Sequence, residues 1–259
     1  MSIALPATTL RAALLCALLI AAPLGARAET ALAAVAANFA ETAEALLPAF
    51  RAATGHDVEL TTGSTGKLYA QISAGAPFDL MLSADAATPA RLLAEGGAVA
   101  GTSFTYAVGR LTLWSADPAR IGEDGRAALE DPALRFVAIA NPDLAPYGVA
   151  ARETLRSLGL WERLQPRIVM GQNVGQTHSM VASGAAEVGF VALSAVLSPR
   201  NATSGSRWDV PQTLYAPIRQ DAVLLGPGAD NPAARAFLDF LRTPEAAAVI
   251  DRFGYGAGG

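Results

Sequence analysis

The stretch TTGSTGKLYAQI, residues 61–72, lies where an apolar run ends and a helical pattern begins. Small and hydroxyl residues at such a junction let an anion approach the free N–H groups at the start of a helix. The same letters resemble a phosphate-binding loop, and they also contain the Ser-x-x-Lys pattern of acyl-transferring enzymes. The stretch therefore suggests three kinds of site: a nucleotide site, a nucleophile, or a pocket for another anion.

Strand-like and helical patterns alternate on both sides of this stretch. Strand–helix pairs are predicted at 30–37 and 38–55, 57–61 and 67–75, 78–84 and 87–97, 135–142 and 147–160, and 166–170 and 174–184. Asn38 and Glu41 fit a capping box at the first helix. Residues 105–116 form a longer strand-like run, and residues 198–209 are the most loop-like segment. The alternation predicts an α/β fold with mostly parallel sheets flanked by helices.

Ligands of parallel α/β sheets bind beyond the carboxyl ends of strands, where helices begin. Four such junctions supply small or polar residues: AANFAE at 36–41, TTGSTGK at 61–67, NPDLAPYG at 141–148 and GQNVGQTHS at 171–179. Two of them lie in each half of the chain, as expected if two lobes face each other across a cleft. We therefore expect the binding site where these junctions meet.

The N-terminus has the pattern of a secretory signal peptide. Arg11 precedes an apolar run at 12–25, and the A-x-A sequence at 26–28 is followed by Glu29, which is the arrangement of a cleavage site. We predict a signal peptide over residues 1–28, with the only cysteine, Cys16, inside it. The exported chain then has no thiol for disulfides, thiolate catalysis or cysteine-bound metal.

Charge and composition exclude further classes of function. Without residues 1–28 the chain keeps 17 basic and 23 acidic residues, which is a net charge of −6. It has no basic cluster and few aromatic residues, so we expect no nucleic-acid partner. Any anion must then be held by local dipoles against an unfavourable overall field.

The motifs for nucleotide binding and for catalysis each lack residues that they require. A P-loop needs glycine where Thr61 lies and a hydroxyl residue where Leu68 lies. Ser64 and Lys67 fit Ser-x-x-Lys, but the S-D-N and K-T-G tripeptides of those enzymes do not occur in the sequence. The two histidines are isolated and make neither a metal site nor a Ser–His–Asp triad. A secreted acyl-transfer enzyme using Ser64 and Lys67 stays as the lesser alternative.

Neutral donors at the junctions favour anion capture without chemistry. A helix N-terminus carries about half a positive charge and unpaired N–H groups, and Asn38, Ser64 and Thr65 add polar side chains. No junction carries arginine, and Asp143 is the only carboxylate near them besides the capping Glu41. A pocket of donors alone suits an anion without a proton, such as sulfate, molybdate or tungstate. Asp143 leaves phosphate open, because a protonated oxyanion needs an acceptor.

Larger blocks of the sequence carry a family resemblance. AAVAANF (33–39), GSTGKLYAQI (63–72), GAPFDL (75–80), FTYAVGRLTLWS (104–115), NPDLAPYGVAA (141–151) and VGQTHSMVASGAAEVGFVAL (174–193) together resemble the periplasmic molybdate-binding proteins of bacterial ABC importers. The resemblance implies a two-lobe periplasmic-binding-protein fold with two crossovers and an oxyanion enclosed in the cleft. Lobe I is expected at 29–110 plus 221–259, and lobe II at 111–220.

The resemblance also implies which residues bind the ion. By position they are Asn38, Thr65, Tyr147 and Val174, and the adjoining Ser64 is expected to share their role. Tyr147 and Val174 act largely through backbone N–H groups, and molybdenum is held only as its oxyanion. Relatives often have a hydroxyl residue at Asn38 or just before it, whereas Ala37 precedes it here. The Asn38 amide is therefore expected to donate to the ion or to cap its helix.

These implications define the expected function. We expect a soluble periplasmic receptor, not an enzyme, that captures molybdate or tungstate without a cofactor. As a monomer it would deliver the ion to a membrane-embedded ABC permease with its cytoplasmic ATPase. The alternative in the same class is a receptor for sulfate or another tetrahedral oxyanion.

Overall fold

The computed structural model describes residues 28–201 and 203–258, so Cys16 and the rest of the predicted signal peptide before Ala28 lie outside the described residues. In chain order the strands are β1 Thr30–Ala36, β2 Asp57–Gly63, β3 Leu80–Leu82, β4 Phe104–Gly109, β5 Leu111–Ser115, β6 Val137–Ala140, β7 Ile168–Gly171, β8 Val188–Ala192, β9 Ser206–Asp209, β10 Ile218–Leu224 and β11 Gly256–Ala257. The α-helices are α1 Ala40–Thr54, α2 Thr65–Ser73, α3 Ala87–Ala94, α4 Gly125–Glu130, α5 Pro146–Ser157, α6 Trp161–Leu164, α7 Val174–Ala182, α8 Leu193–Leu197, α9 Pro232–Phe240 and α10 Pro244–Arg252. None of these helices has the length and apolar character of a membrane span.

The strands form two sheets, each flanked by helices as predicted. The first has the order β11-β4-β10-β3-β1-β2 and the second the order β7-β6-β8-β5-β9. β1 pairs in parallel with β2 and β3, and β6 in parallel with β7 and β8. β5 and β10 run antiparallel to their neighbours. The sheets are mixed rather than mostly parallel, because β5 and β10, the strands that follow the two crossovers, run antiparallel to the strands beside them.

One predicted strand is two strands in the structure. β4 ends at Gly109 and β5 begins at Leu111, and the two belong to different sheets. Most of the run at 105–116 is buried in both halves, so its apolar pattern does not show the change of sheet. The chain returns to the first sheet between Asp209 and Ile218. The second crossover therefore comes before Ile218, a little earlier than the predicted lobe boundary.

Each sheet has its own hydrophobic core. Phe39, Phe50 and Phe237 are fully buried in the first, where the Phe50 and Phe237 rings meet edge-on with centroids 5.1 Å apart. Trp114 and Phe190 are fully buried in the second. Burying one such side chain contributes about 1.5–3 kcal/mol, so each sheet is stabilised by apolar side chains of its own.

The first helix does not begin as predicted. A 3-10 turn at Ala37–Phe39 follows β1, and α1 begins after it at Ala40. No side chain caps either element, so the predicted capping box of Asn38 and Glu41 is wrong. The capping box does not form because the Asn38 side chain hydrogen-bonds to residues of distant elements, as described below.

Two further details differ from the sequence-based assignment. α2 begins at Thr65, two residues before the predicted start at Lys67, and Ser64 is its N-cap residue. The segment predicted as a loop contains β9, which is an edge strand of the second sheet. The earlier start of α2 puts both hydroxyl residues at the tip of the helix.

Candidate functional site

The start of α2 presents two buried hydroxyl groups. Ser64 and Thr65 directly follow β2 and are 3% and 2% exposed. Thr65 Oγ1 accepts a hydrogen bond from the Ala84 N–H at 3.2 Å, which leaves the threonine O–H free to donate. The Ser64 hydroxyl has no partner among the described residues. A hydroxyl without a protein partner can donate its proton to a ligand.

The turn after β1 brings backbone donors to the same place. The N–H groups of Ala37 and Asn38 open this turn, where N–H groups have no partner within the helix. The Asn38 side chain is occupied elsewhere: its Nδ2 donates to Gln220 Oε1 at 2.9 Å and to the Tyr255 hydroxyl at 3.1 Å. The expectation that this amide donates to the ion or caps a helix is therefore wrong. What Asn38 offers to a ligand is its backbone N–H.

Two helices of the second lobe supply similar N-termini. Tyr147 is the second residue of α5 and follows Pro146, while Val174 is the first residue of α7. Both are buried, at 2% and 4% exposure. Asn173 caps α7 by accepting the Gln176 N–H at 2.9 Å. The backbone N–H groups of Tyr147 and Val174 precede the first bonds within their helices.

These four junctions line one small cavity. All five residues singled out from the sequence line it: Asn38, Ser64, Thr65, Tyr147 and Val174. Its remaining lining is Ala36, Ala37, Gly63, Ala84, Ala145, Pro146 and Asn173, so none of the described residues that line it is charged. The space open to the centre of a water molecule is about 10 Å³, which is about the room that one water molecule needs. Hydroxyl groups and helix N-termini supply its polarity, and both favour an anion.

Contacts between the lobes hold the cleft closed around this cavity. The Gly66 N–H of α2 donates to the Leu144 carbonyl of the second lobe at 2.9 Å. Ser194 Oγ, in α8, donates to the Asn38 carbonyl at 3.1 Å. A Cβ on Gly66 would lie 3.2 Å from the Leu144 carbonyl oxygen, so glycine allows this close approach. The two lobes therefore meet on both sides of the site.

Sequence reasoning missed several residues around the cavity. Ala84 follows β3, and the strand–helix rule used for the other junctions could have found it. Gln220 and Tyr255 lie 182 and 217 positions from Asn38, which they contact. Nothing in the local sequence indicates such contacts, because they depend on the return of the chain to the first lobe.

The family model for bacterial extracellular solute-binding proteins matches residues 31–256. The chain belongs to this family. This solute-binding protein is 50% identical over 248 residues to the molybdate-binding protein ModA of Rhodobacter capsulatus, covering 95% of the chain and 96% of that relative. The predicted family resemblance is confirmed.

Solved structures agree with the assignment. The periplasmic molybdate-binding protein of Azotobacter vinelandii is similar to this solute-binding protein with a TM-score of 0.83 and 42% identity, over 87% of this chain and 98% of that one. The sulfate-binding protein SubI of Mycobacterium tuberculosis has a TM-score of 0.71 at 16% identity, over 88% and 87% of the two chains. The second likeness shows the shared fold alone. The predicted two-lobe periplasmic-binding-protein fold is confirmed.

The site of this solute-binding protein does not fit acyl transfer. A serine nucleophile needs a base within hydrogen-bond reach, yet Ser64 Oγ has no hydrogen-bond partner among the described residues, and Lys67 is exposed. His178 stacks on Trp114 with ring centroids 4.6 Å apart and does not line the cavity. Asp143, the carboxylate that left phosphate open, lines the wider cleft outside the cavity.

Proposed function

We propose that this protein captures molybdate and delivers it to the permease of an ABC transporter. One observation carries the proposal: N-terminal helix ends from both lobes converge on a cavity without a charged side chain among the described residues. Each N-terminus is equivalent to about +0.5 charge, so four of them roughly offset a dianion. The 50% identity to a protein named for molybdate binding supports the choice of ion.

The proposed contacts are neutral hydrogen-bond donors. Ser64 and Thr65 donate through their hydroxyl groups, and Asn38, Tyr147 and Val174 donate through backbone N–H groups. Molybdenum stays inside its oxyanion and takes no protein ligand, and no cofactor takes part. A donor-only site favours an anion without a proton, so protonated phosphate is disfavoured. Tungstate has the same shape and charge as molybdate, and we propose that it also binds.

The cellular setting follows from the same assignment. We propose that the protein works in the periplasm as a monomer, after export directed by residues 1–28. The closed pair of lobes is then the form presented to a membrane-embedded permease, whose cytoplasmic ATPase drives uptake. Binding without catalysis is the proposed activity.

Calorimetric titration of the protein expressed from Glu29 tests the proposal. We expect saturable binding of molybdate and tungstate, weaker binding of sulfate, and no heat from phosphate. Tighter binding of sulfate than of molybdate would replace the proposal by its alternative, a sulfate receptor. Covalent labelling of Ser64 by an acylating probe would instead support the acyl-transfer alternative.

A further inference from the structure

Gln220 lies at the centre of a buried hydrogen-bond network behind the cavity. The residue is fully buried in β10. Its Oε1 accepts from Asn38 Nδ2 at 2.9 Å and from the Tyr106 hydroxyl at 3.1 Å, and its Nε2 donates to the Tyr147 hydroxyl at 3.3 Å. Asn38 and Tyr106 belong to the first lobe, whereas Tyr147 belongs to the second. One carboxamide therefore joins the two lobes.

Two backbone features place this carboxamide. The pairing of β4 with β10 shifts register between Gln220 and Asp221, which leaves Tyr106 unpaired in the ladder, and such bulges redirect side chains. Gly109, at the end of β4, provides the space. A Cβ there would lie 2.3 Å from the Tyr147 hydroxyl and 2.5 Å from Gln220 Nε2. A larger residue would fill the volume of the interlobe hydrogen bond.

The Asn38 peptide is also held from its other side. The Tyr255 hydroxyl donates to the Asn38 carbonyl at 2.7 Å, and Ser194 Oγ of the second lobe donates to the same oxygen at 3.1 Å. Burial raises the pKa of Tyr255 to about 12 and that of Tyr147 well above its ordinary value, so both hydroxyl groups keep their protons at neutral pH. Asn38 is therefore held through both its side chain and its carbonyl, which fixes the position of the residue that carries the N–H.

We propose that Gln220 is a positioning residue for the oxyanion site, an inference that rests on the proposed function. Gln220 does not line the cavity. Its carboxamide fixes the separation between the Asn38 N–H in one lobe and the Tyr147 N–H in the other. That separation sets the size of the anion that reaches both donors, and hence the preference among tetrahedral oxyanions of different size. Without the carboxamide both N–H donors remain, but the distance between them is no longer fixed.

Gln220→Met tests this role, because methionine has a similar length and makes none of the three hydrogen bonds. Wild type and variant are titrated with molybdate and with sulfate. We expect at least a tenfold loss of molybdate affinity and at least a threefold fall in the ratio of molybdate to sulfate affinity. Thr105→Val is the matched control: on the same strand pair it loses the bond that it donates to Asp221 at 2.7 Å and the bond that it accepts from Arg219 at 2.8 Å, both outside the network. We expect this control to keep both affinity and ratio, even where its melting temperature falls.

Tyr147→Phe keeps the inference testable should Gln220→Met fail to fold. It removes only the hydroxyl that Gln220 reaches and retains the backbone N–H. We expect Tyr147→Phe to bind molybdate more weakly than wild type. The double variant with Gln220→Met should bind no more weakly than Gln220→Met alone, since both changes remove the same interlobe hydrogen bond. Unchanged affinity and ratio in Gln220→Met, or in Tyr147→Phe where the first variant is unfolded, would overturn the positioning role. Wild-type protein that binds no molybdate would instead overturn the proposed function.

Discussion

Ser64 and Ser115 are both buried serines, but their hydroxyl groups are in opposite situations. Ser115 Oγ donates to the Glu187 carbonyl at 2.6 Å, whereas Ser64 Oγ has no partner among the described residues. An unpaired buried hydroxyl costs stability, and a paired one contributes to it. At the scale of the residue, the Ser115 hydroxyl therefore stabilises the fold through this hydrogen bond, whereas the Ser64 hydroxyl contributes no such bond.

Ser64→Ala is expected to weaken molybdate binding without destabilising the protein. A hydrogen bond to a charged group contributes about 1.5–3 kcal/mol, so the loss is about ten- to a hundredfold in affinity. Its melting temperature should stay the same or rise, because the hydroxyl stabilises nothing in the protein itself. Ser115→Ala should show the reverse, a lower melting temperature with unchanged affinity. Calorimetry and thermal melts of both variants check this, and a destabilised Ser64→Ala with full affinity would contradict it.

The buried position of His178 leads us to expect that the stability of the protein depends on pH. Its Nε2 is buried without a partner among the described residues. Burial lowers its pKa below the ordinary 6.5, and the charge of Glu41, which faces it across the interlobe cleft, opposes part of this effect. Below pH 6.5 the unfolded chain takes up a proton that the folded chain resists. The free energy of unfolding therefore falls as the pH drops through 6.5 towards the lowered value.

The matching prediction concerns His178→Gln. Wild type should melt at a lower temperature at about pH 5.5 than at about pH 7.5, because protonation favours the unfolded chain. In the variant this difference should shrink, since glutamine does not titrate. Thermal melts across this pH range, followed by circular dichroism, measure it. If the variant's melting temperature falls as steeply as that of wild type, another group is responsible.

At the scale of the element, the strand–helix junctions were the predictable part of the site, although α1 and α2 do not begin at the predicted residues. Each of the five predicted residues lies at a strand–helix junction, and sequence patterns identify such junctions well. The division of residues 105–116 between two sheets was not predictable, because both halves are buried and have the same apolar pattern. The role of the Asn38 side chain was missed for a related reason. Its partner Gln220 lies 182 positions away, on a strand that returns from the other lobe.

A prediction at the scale of the element concerns Gly66. In α2 an alanine is a better helix former than glycine by about 1 kcal/mol, but a Cβ at this position would lie 3.2 Å from the Leu144 carbonyl oxygen. The obstructing atom is backbone of the other lobe, so the strain is relieved by partial opening of the cleft. Gly66→Ala is therefore expected to keep or raise the melting temperature and to weaken molybdate binding.

Gly122→Ala is the control for that variant. Nothing lies within 4 Å of a Cβ at Gly122, so molybdate affinity should be unchanged there. Small-angle scattering of the two variants without and with molybdate measures the closure directly. Equal affinity and equal compaction in both variants would show that the Gly66 contact does not limit closure.

At the scale of the whole molecule, the charge of the protein opposes the ion that we propose it binds. The formal net charge of the full sequence is −4 at pH 7. Asp85, Asp143 and Glu153 line the wider cleft beside the cavity, with Arg219 as the cation among its lining residues. A dianion that approaches this cleft meets a field of its own sign until it reaches the helix N-termini. The overall field thus affects the rate of capture, while local dipoles determine the affinity.

Added salt should therefore speed up molybdate binding. The Debye length falls from about 30 Å at 0.01 M salt to about 8 Å at 0.15 M, which screens the repulsion at the cleft but not the buried contacts. We expect the association rate constant, measured by stopped flow in potassium chloride, to rise at least twofold between these salt concentrations. Asp143→Asn should reduce this salt effect, whereas Asp239→Asn, the same charge change on an exposed residue that does not line the cleft, should retain it. An association rate that falls with salt would mean that the ion is attracted by net positive charge, and the repulsion by the acidic cleft argued here would then be wrong.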